Sequence, residues 1–438
     1  MDILQYADEV WREESSPKAY NTGELRRAGL HRIVDRVHMW PAFANAYIFQ
    51  TDDGILMFDT GSRPTAGALF TATRALTDAP LNRAIYSHGH LDHVCGTASF
   101  DDESANNGTK RPTVIAHSAV STRFDRYIAT NGYNTIINQR QFQLPDLQWP
   151  TSYRYPDETF DDRLTISQGG LTAHLSHGYG ETDDAVIGWF PDHDVVCVGD
   201  FFIWSSPNAG NPQKVQRYAL KWAEKLREIA ALGAEYLLPG HGLPIVGKDR
   251  IVEAMTNTAE YLEFLHEQTL EFLNAGSTLD AALHAITVPS KFTDKPYLRP
   301  TYDEPEFVVR NLWRLYGGWY DGDPSSLKPA ERSLMGQAIV DLAGGVDAVA
   351  GKARKEISHG DERVAARLIQ MATDAEPDNL AIHAIRVEIF EALQKRATST
   401  MSKGIYAWAV AESTAKLEGK DTLDLIRERS AGKFQFPL

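Results

Sequence analysis

Four side chains able to bind a metal fall within the six residues His88-Gly89-His90-Leu91-Asp92-His93, directly after the short run Arg83-Ala84-Ile85-Tyr86-Ser87. Imidazole nitrogens and a carboxylate suit zinc and similar divalent ions. His88 and His90 alternate, so off an extended segment both rings point one way, while Asp92 and His93 turn toward a second position. The loop can therefore serve two ions. Three of the chain's 14 histidines gather here, more than a polar turn with incidental histidines would hold. Cys95, two residues further on, reads as a small packed thiol rather than a ligand or nucleophile, as does Cys197. His117, His174 and His193 stand alone and read as ordinary packing residues.

Such ligands need a frame. From Gly29 to Gly61 the chain reads as alternating apolar strands, HRIVDRVHMW, NAYIFQ and GILMFDTG, with Asp52-Asp53-Gly54 as a hairpin turn. A helix over Thr65 to Leu76 leads to the strand that ends at the histidines, which places ligands at a strand end. Further strands are predicted at PTVIAHS, LTIS, LTAHLSH, AVIGWF, DVVCVG and Glu235 to Leu238, with a helix near Val215 to Leu232. Residues 104–112 and 129–160, polar or aromatic, are expected to form loops around the site. Beyond about residue 245 the periodicity is helical, punctuated by Gly276, Pro289 and the stretch from Pro296 to Pro305. LIQMATDAEPDNLAIHAIRVEIFEAL there reads as a helix, a turn and a second helix. Trp313, Tyr316, Trp319 and Tyr320 follow helix-face spacing and are expected to pack in a core.

Composition excludes several classes. The chain has 438 residues, 43% hydrophobic and 24% charged, an ordinary globular balance in a length that suits two domains. A net charge of −15 would repel a phosphate backbone, so nucleic acid is not expected as a partner. Two cysteines form no disulfide framework, which suits a reducing cytoplasm. The acidic N-terminus lacks a basic start and an apolar core, so no export is predicted. Nowhere does the chain sustain the roughly 18 apolar residues of a membrane span.

The His-x-His-x-Asp-His motif, the segment Phe58-Asp59-Thr60-Gly61 and Pro239-Gly240-His241-Gly242 together resemble the metallo-β-lactamase superfamily over residues 29–245. The resemblance implies an α/β (α+β) fold: an αββα sandwich of two sheets covered by helices, with the site where strand-end loops converge. The domains expected on this basis are an N-terminal extension over 1–22, a catalytic domain over 23–245 and a helical domain over 246–438. Asp59 resembles the residue that braces the histidine loop, as a buried carboxylate beside ligands is also expected to do. A flavodiiron-type centre would carry Glu in place of His90. The family's third ligand usually comes from a Gly-His-Thr turn, where this chain reads Gly180-Glu181-Thr182-Asp183; Glu181 stands in that place, with His177 and Asp183 as rivals. Asp200 after Val198-Gly199 resembles the bridging aspartate and His241 the last ligand. Two ions, expected to be zinc, would then sit on His88, His90 and Glu181 and on Asp92, His93 and His241, with Asp200 between them.

A narrower resemblance follows. Glu181, Ala219-Leu220-Lys221-Trp222 and Tyr316-Gly317-Gly318-Trp319-Tyr320-Asp321-Gly322-Asp323-Pro324 resemble the alkyl sulfatases of this superfamily. The likeness runs to roughly residue 420 and implies a helical dimerisation domain, hence a homodimer. Many members add a sterol-carrier-like domain for apolar chains, which is not expected in this chain, and that leaves long alkyl substrates open. They also grip sulfate with an Arg where this chain reads Asn208-Ala209-Gly210-Asn211-Pro212-Gln213-Lys214. Asn208 resembles an anion-binding position, and Lys214 or Arg217 can supply charge for substrate binding. The expected function is a binuclear zinc-dependent hydrolase that cleaves small-molecule sulfate esters through a metal-bound hydroxide, with Asp92 and Asp200 as the catalytic carboxylates that tune the metals. The alternative is another ester, a lactone, thioester, carboxylic ester or phosphoester, on the same core. A third reading is a non-catalytic scaffold.

Overall fold

A computed structural model describes residues 2–13 and 29–430. Among them, β1 (His31–Val34), β2 (Val37–Trp40), β3 (Ala46–Thr51), β4 (Gly54–Phe58), β5 (Leu81–Ile85), β6 (Thr113–His117) and β7 (Glu158–Phe160) form one sheet in sequence order. A second sheet runs β13-β12-β11-β10-β9-β8, from β8 (Arg163–Gln168), β9 (Leu171–Gly178), β10 (Ala185–Phe190), β11 (Val195–Gly199), β12 (Tyr236–Pro239) and β13 (Ile245–Val246). The expected HRIVDRVHMW strand is two strands, because Arg36 takes φ 60° and turns the chain so that Val34 pairs with Val37. The Asp52-Asp53-Gly54 hairpin forms as predicted, with Thr51 opposite Gly54.

Alternation along the strands explains the layers. In β3 and β4, Tyr47, Phe49, Leu56 and Phe58 face the second sheet, while Ile48, Ile55 and Met57 face helices Ala66–Leu76 and Ala98–Asn107 through Leu69 and Phe100. Both faces of these strands are buried, hence their near-continuous apolar text. Between the sheets Phe49 stacks on Phe190 with centroids 4.0 Å apart. A Cβ on Gly188 would come within 2.8 Å of the Phe58 ring, so the sheets meet where that side chain is absent. On the far side of the second sheet, helices Ala219–Ala231 and Lys248–Asn274 contribute Trp222, Leu226, Ala254 and Leu262 to the same core. The architecture is the expected mixed sandwich.

Contacts divide the chain into two compact units: residues 1–130 with 150–319, and residues 131–149 with 320–435, each taken over its described residues. The strands end near residue 246, but helices Lys248–Asn274 and Pro305–Gly317 belong to the first unit, so the change to helix marked at 245 is not where that unit ends. The expected N-terminal extension supplies helix Ile3–Trp11, whose Ile3, Ala7 and Val10 lie in the first unit's core; the rest of it, residues 14–22, lies outside the described residues. Residues 131–149, expected as a loop at the site, instead start with helix Asn131–Phe142 and pack in the second unit. A Cβ on Gly404 would lie 2.1 Å from the Gln141 carbonyl, so helix Thr400–Glu418 meets this segment backbone to backbone. Residues 104–112 likewise begin as the end of helix Ala98–Asn107.

The second unit's described residues form helices and no strand, with Val349, Ala353, Ile369, Ile382 and Ile389 in its core. The predicted helix–turn–helix forms as Glu362–Ala375 and Leu380–Arg396, the latter capped by Asn379. No single described helix is long and apolar enough to cross a membrane. The aromatic run departs from its expected place: Trp313 is buried, but Tyr316, Trp319 and Tyr320 are 49%, 67% and 41% exposed. Helix Pro305–Gly317 stops at Gly318, which takes φ 79°, so Trp319 and Tyr320 lie beyond the helix, while Tyr316 stands within it with its hydroxyl 3.1 Å from His266 Nε2.

Candidate metal centre

Parallel pairing collects the site. β4 runs parallel to β5 and β11 to β12, so the residues after their C-terminal ends, Asp59, Ser87 to His93, Asp200 and His241, meet at one edge of the sandwich. After β5 the chain bends over Ser87 to Gly89, and His90, itself extended, caps the one-turn helix Leu91–Val94 carrying Asp92 and His93. The expected division into a His88–His90 pair and an Asp92–His93 pair is not clean, because His88 shares a donor group with His93 while His90 shares one with Glu181.

The predicted ligands converge. Side-chain donors group as His88, His93 and Asp200, as Asp92, His93 and His241, and as His90, Glu181 and Asp200, each group within 4.8 Å. His88 Nε2 lies 2.8 Å from His90 Nδ1 and 3.6 Å from Asp200 Oδ2. Asp200 Oδ1 lies 3.3 Å from His93 Nε2 and 3.4 Å from His241 Nε2, and Asp92 Oδ2 is 3.4 Å from the latter. Glu181 Oε1 lies 3.9 Å from His90 Nδ1. Its rivals are elsewhere: the His177 ring stacks on His117 at 3.9 Å, and Asp183 is half exposed and paired with Arg123. Cys95, His174 and His193 fall outside every group.

Neighbouring residues hold these donors. Asp59, buried at φ 57°, accepts from Ser87 N and Oγ at 2.6 and 2.8 Å and pairs with His93 Nδ1 at 2.8 Å, as the braced-loop reading expected. Asn45 was not anticipated: its Nδ2 donates to the Pro239 and Gly242 carbonyls at 3.0 Å, fixing the His241 turn. Only glycine suits position 240, where a Cβ would lie 2.1 Å from Asp200 Oδ1. The charge balance suits a cation. Burial pushes the Glu181 carboxyl up to about 8, with the Arg217 guanidinium opposing, and pushes His88 down to about 3. Burial also raises Asp200, yet His241, His93 and His88 outweigh it and hold the acid ionised. His93 Nε2 and Asp200 Oδ1 are buried and lack hydrogen-bond partners among the described residues. Buried donors of this kind, mixed imidazole and carboxylate, fit divalent metal.

The three expected substrate-binding residues lie beside Glu181. Asn208 Nδ2 donates to Glu181 Oε1, Arg217 Nη2 reaches the same oxygen at 3.2 Å, and Arg217 Nη1 donates to the Asn208 carbonyl. Lys214 is part-buried, and burial with the Arg217 charge pushes its ammonium down to about 8. Segment Arg299 to Asn311 supports this loop: Asp303 Oδ2 accepts from Gly210 N at 2.6 Å, and Asn311 Nδ2 donates to the Ala209 and Arg217 carbonyls at 2.8 and 2.9 Å.

Two parallel strand ends feeding a His-Asp cluster between packed sheets define the class, and residues 39–241 match the metallo-β-lactamase superfamily. Residues 278–416 match the alkyl sulfatase dimerisation family, so the chain carries a metallo-β-lactamase domain followed by an alkyl sulfatase dimerisation domain and is homologous to the alkylsulfatases. It is 24% identical to a linear primary-alkylsulfatase of Pseudomonas over 402 residues, covering 87% of this chain and 76% of that one. It is also 24% identical to an (R)-specific secondary-alkylsulfatase of Pseudomonas, covering 89% and 63%, and 23% identical to an alkyl/aryl-sulfatase of Saccharomyces cerevisiae, covering 89% and 65%. The chain thus spans less than two thirds of the latter two. Its fold is similar to that of the stereoselective inverting sec-alkylsulfatase Pisa1 of Pseudomonas, with TM-score 0.80 at 22% identity over 88% of this chain and 65% of that one. By homology the chain is a hydrolase.

Proposed function

We propose that the protein is a binuclear zinc-dependent hydrolase of small-molecule sulfate esters that works as a homodimer. The observation that carries the reading is the convergence of His88, His90, Asp92, His93, Glu181, Asp200 and His241 at one sheet edge in a chain homologous to alkylsulfatases. His88 and His90, whose ring nitrogens lie 2.8 Å apart, would with Glu181 hold one ion, and Asp92, His93 and His241 the other, with Asp200 close to donors of both. Bound divalent ions lower the pKa of water and stabilise negative charge that develops on a substrate oxygen.

The chain's own residues do the rest. Asp59 fixes the tautomer of His93 by taking its Nδ1 proton in a hydrogen bond, which leaves Nε2 as a donor atom. Asp92 and Asp200 supply negative charge beside His93 and His241. Asn208 and Arg217 present N–H groups at the Glu181 side, where a sulfate oxygen would compete for them, and the Arg217 fork suits a tetrahedral oxyanion. Lys214 adds positive potential there, felt by both Glu181 and Asp92. Cleavage consumes one water and yields an alcohol and hydrogen sulfate. The name of one relative specifies linear primary and another secondary alkyl sulfates, so a short linear alkyl sulfate is the first substrate to assay. In a panel of one sulfate, one phosphate, one lactone and one thioester, sulfate release should dominate; preference for any other ester would overturn the substrate class while leaving the metal centre standing.

A further inference from the structure

Between the two halves of the proposed first ion site sits a pair of charges, Asp184 and Arg123, that belongs to none of the donor groups among the described residues. Asp184 is fully buried at the end of the Glu181 turn. Its Oδ2 accepts from Gly89 N at 3.2 Å, the amide between His88 and His90, and its Oδ1 accepts from the Thr182 hydroxyl, next to Glu181. One carboxylate thus ties together two segments 95 residues apart in sequence. Arg123, on helix Ala119–Ala129 and 3% exposed, pairs with it: Nε donates to Asp184 Oδ2 at 2.5 Å, and Nη2 to Asp183 Oδ1. The fit is close, for a Cβ on Gly89 would lie 2.7 Å from Arg123 Cδ and 3.1 Å from Asp184 Oδ2. The Asp92 and His93 turn is held separately, by Asp59 and by the Thr60 backbone and hydroxyl.

We infer that Arg123 and Asp184 are positioning residues that set the distance between the His88–His90 segment and Glu181, and so determine the affinity of the first ion independently of the second. The inference rests on the two-ion reading above. The guanidinium does two things here. It keeps Asp184 ionised in a dry setting, so both carboxylate oxygens remain acceptors, and it anchors the pair to the outer helix, which turns a local hydrogen bond into a fixed spacing. An ion at the first site needs donors from both segments at once, so any spread of the segments weakens that site and leaves the second unchanged.

The test uses the zinc-loaded full chain, with zinc release followed as a chelator is titrated and folding monitored by circular dichroism. Asp184→Asn keeps the shape but strands Arg123, and Arg123→Lys keeps the charge while losing the fork, so the second variant serves should the first not fold. In both, the first ion should leave at chelator concentrations about 10–100-fold lower than in wild type, with release of the second unmoved. Equal weakening of both ions, or release identical to wild type from a folded variant, would overturn the inference alone. A wild-type chain that binds no ion would overturn the two-ion reading and the inference with it.

Discussion

The carboxylate of Asp59, at the end of β4, lies 2.8 Å from Nδ1 of His93, and the opposite ring nitrogen consequently points at Asp200 across 3.3 Å. Sequence distance is 34 residues, but the parallel pairing of β4 and β5 makes the two neighbours. Asp59→Asn would present an amide where Ser87 Oγ and His93 Nδ1 both need an acceptor, and the ring would lose its fixed tautomer. Zinc affinity should fall about 10–100-fold with little change in far-ultraviolet circular dichroism. A competition titration against a chromogenic chelator reads this out.

Gly240→Ala places a methyl group 2.1 Å from Asp200 Oδ1, which the rigid turn held by Asn45 cannot avoid. A displacement of about 1 Å at such a site can cost about 100-fold in rate. Steady-state hydrolysis by the variant should drop by that order, mostly in kcat. An unchanged kcat would mean that Asp200 is not held where the site needs it.

Arg217→Lys keeps a positive charge but loses the fork that meets Glu181 and the Asn208 carbonyl together. The account expects KM for an alkyl sulfate to rise at least tenfold, with a smaller change in kcat, because a point charge replaces a two-pronged donor. Initial-rate kinetics across substrate concentrations separate the two constants.

Asp303 makes a pH prediction outside the ligand set. Burial pushes its carboxyl up to about 7, against the Gly210 amide, the Arg217 charge and the Glu304 amide, while the Glu304 carboxylate charge pushes the same way as burial. The folded chain therefore keeps a proton that the unfolded chain releases near the ordinary value of 3.8. Its contribution to stability is full below that value, declines as the pH rises and is gone above about 7. Asp303→Asn removes this component, so the melting temperature of the variant relative to wild type should climb by a few degrees from about pH 4 to about pH 8. A constant gap in differential scanning fluorimetry would refute it.

What could be read in advance follows from how far apart the cooperating residues lie in sequence. His88, His90, Asp92 and His93 are contiguous, and Asp200 and His241 each close a short apolar strand, so local spacing exposed them. Arg123, Asp184 and Asn45 gave no such signal: an Arg on a helix and an Asp in a turn look solvated until the fold buries them together. The Asp35-Arg36 turn lacks glycine and so hid a hairpin inside an apparent single strand. Helix Asn131–Phe142 looked like a loop because its amides are rich in turn-formers, yet Asn138 Nδ2 bonds the Asn134 carbonyl, and Gln139 Nε2 those of Pro145 and Leu147. The aromatic spacing failed at Trp319 and Tyr320 for a backbone reason, since Gly318 ends the helix that the period presumed, whereas Tyr316 stays on the helix and lies on its exposed side.

The central claim is that one cluster of seven side chains holds two ions. The most direct measurement is elemental analysis of protein purified without chelator and then supplied with zinc, alongside His241→Ala. The account predicts about two zinc per wild-type chain and about one in the variant, since His241 belongs to a single ligand group. Less than one ion per wild-type chain after zinc is supplied would contradict it.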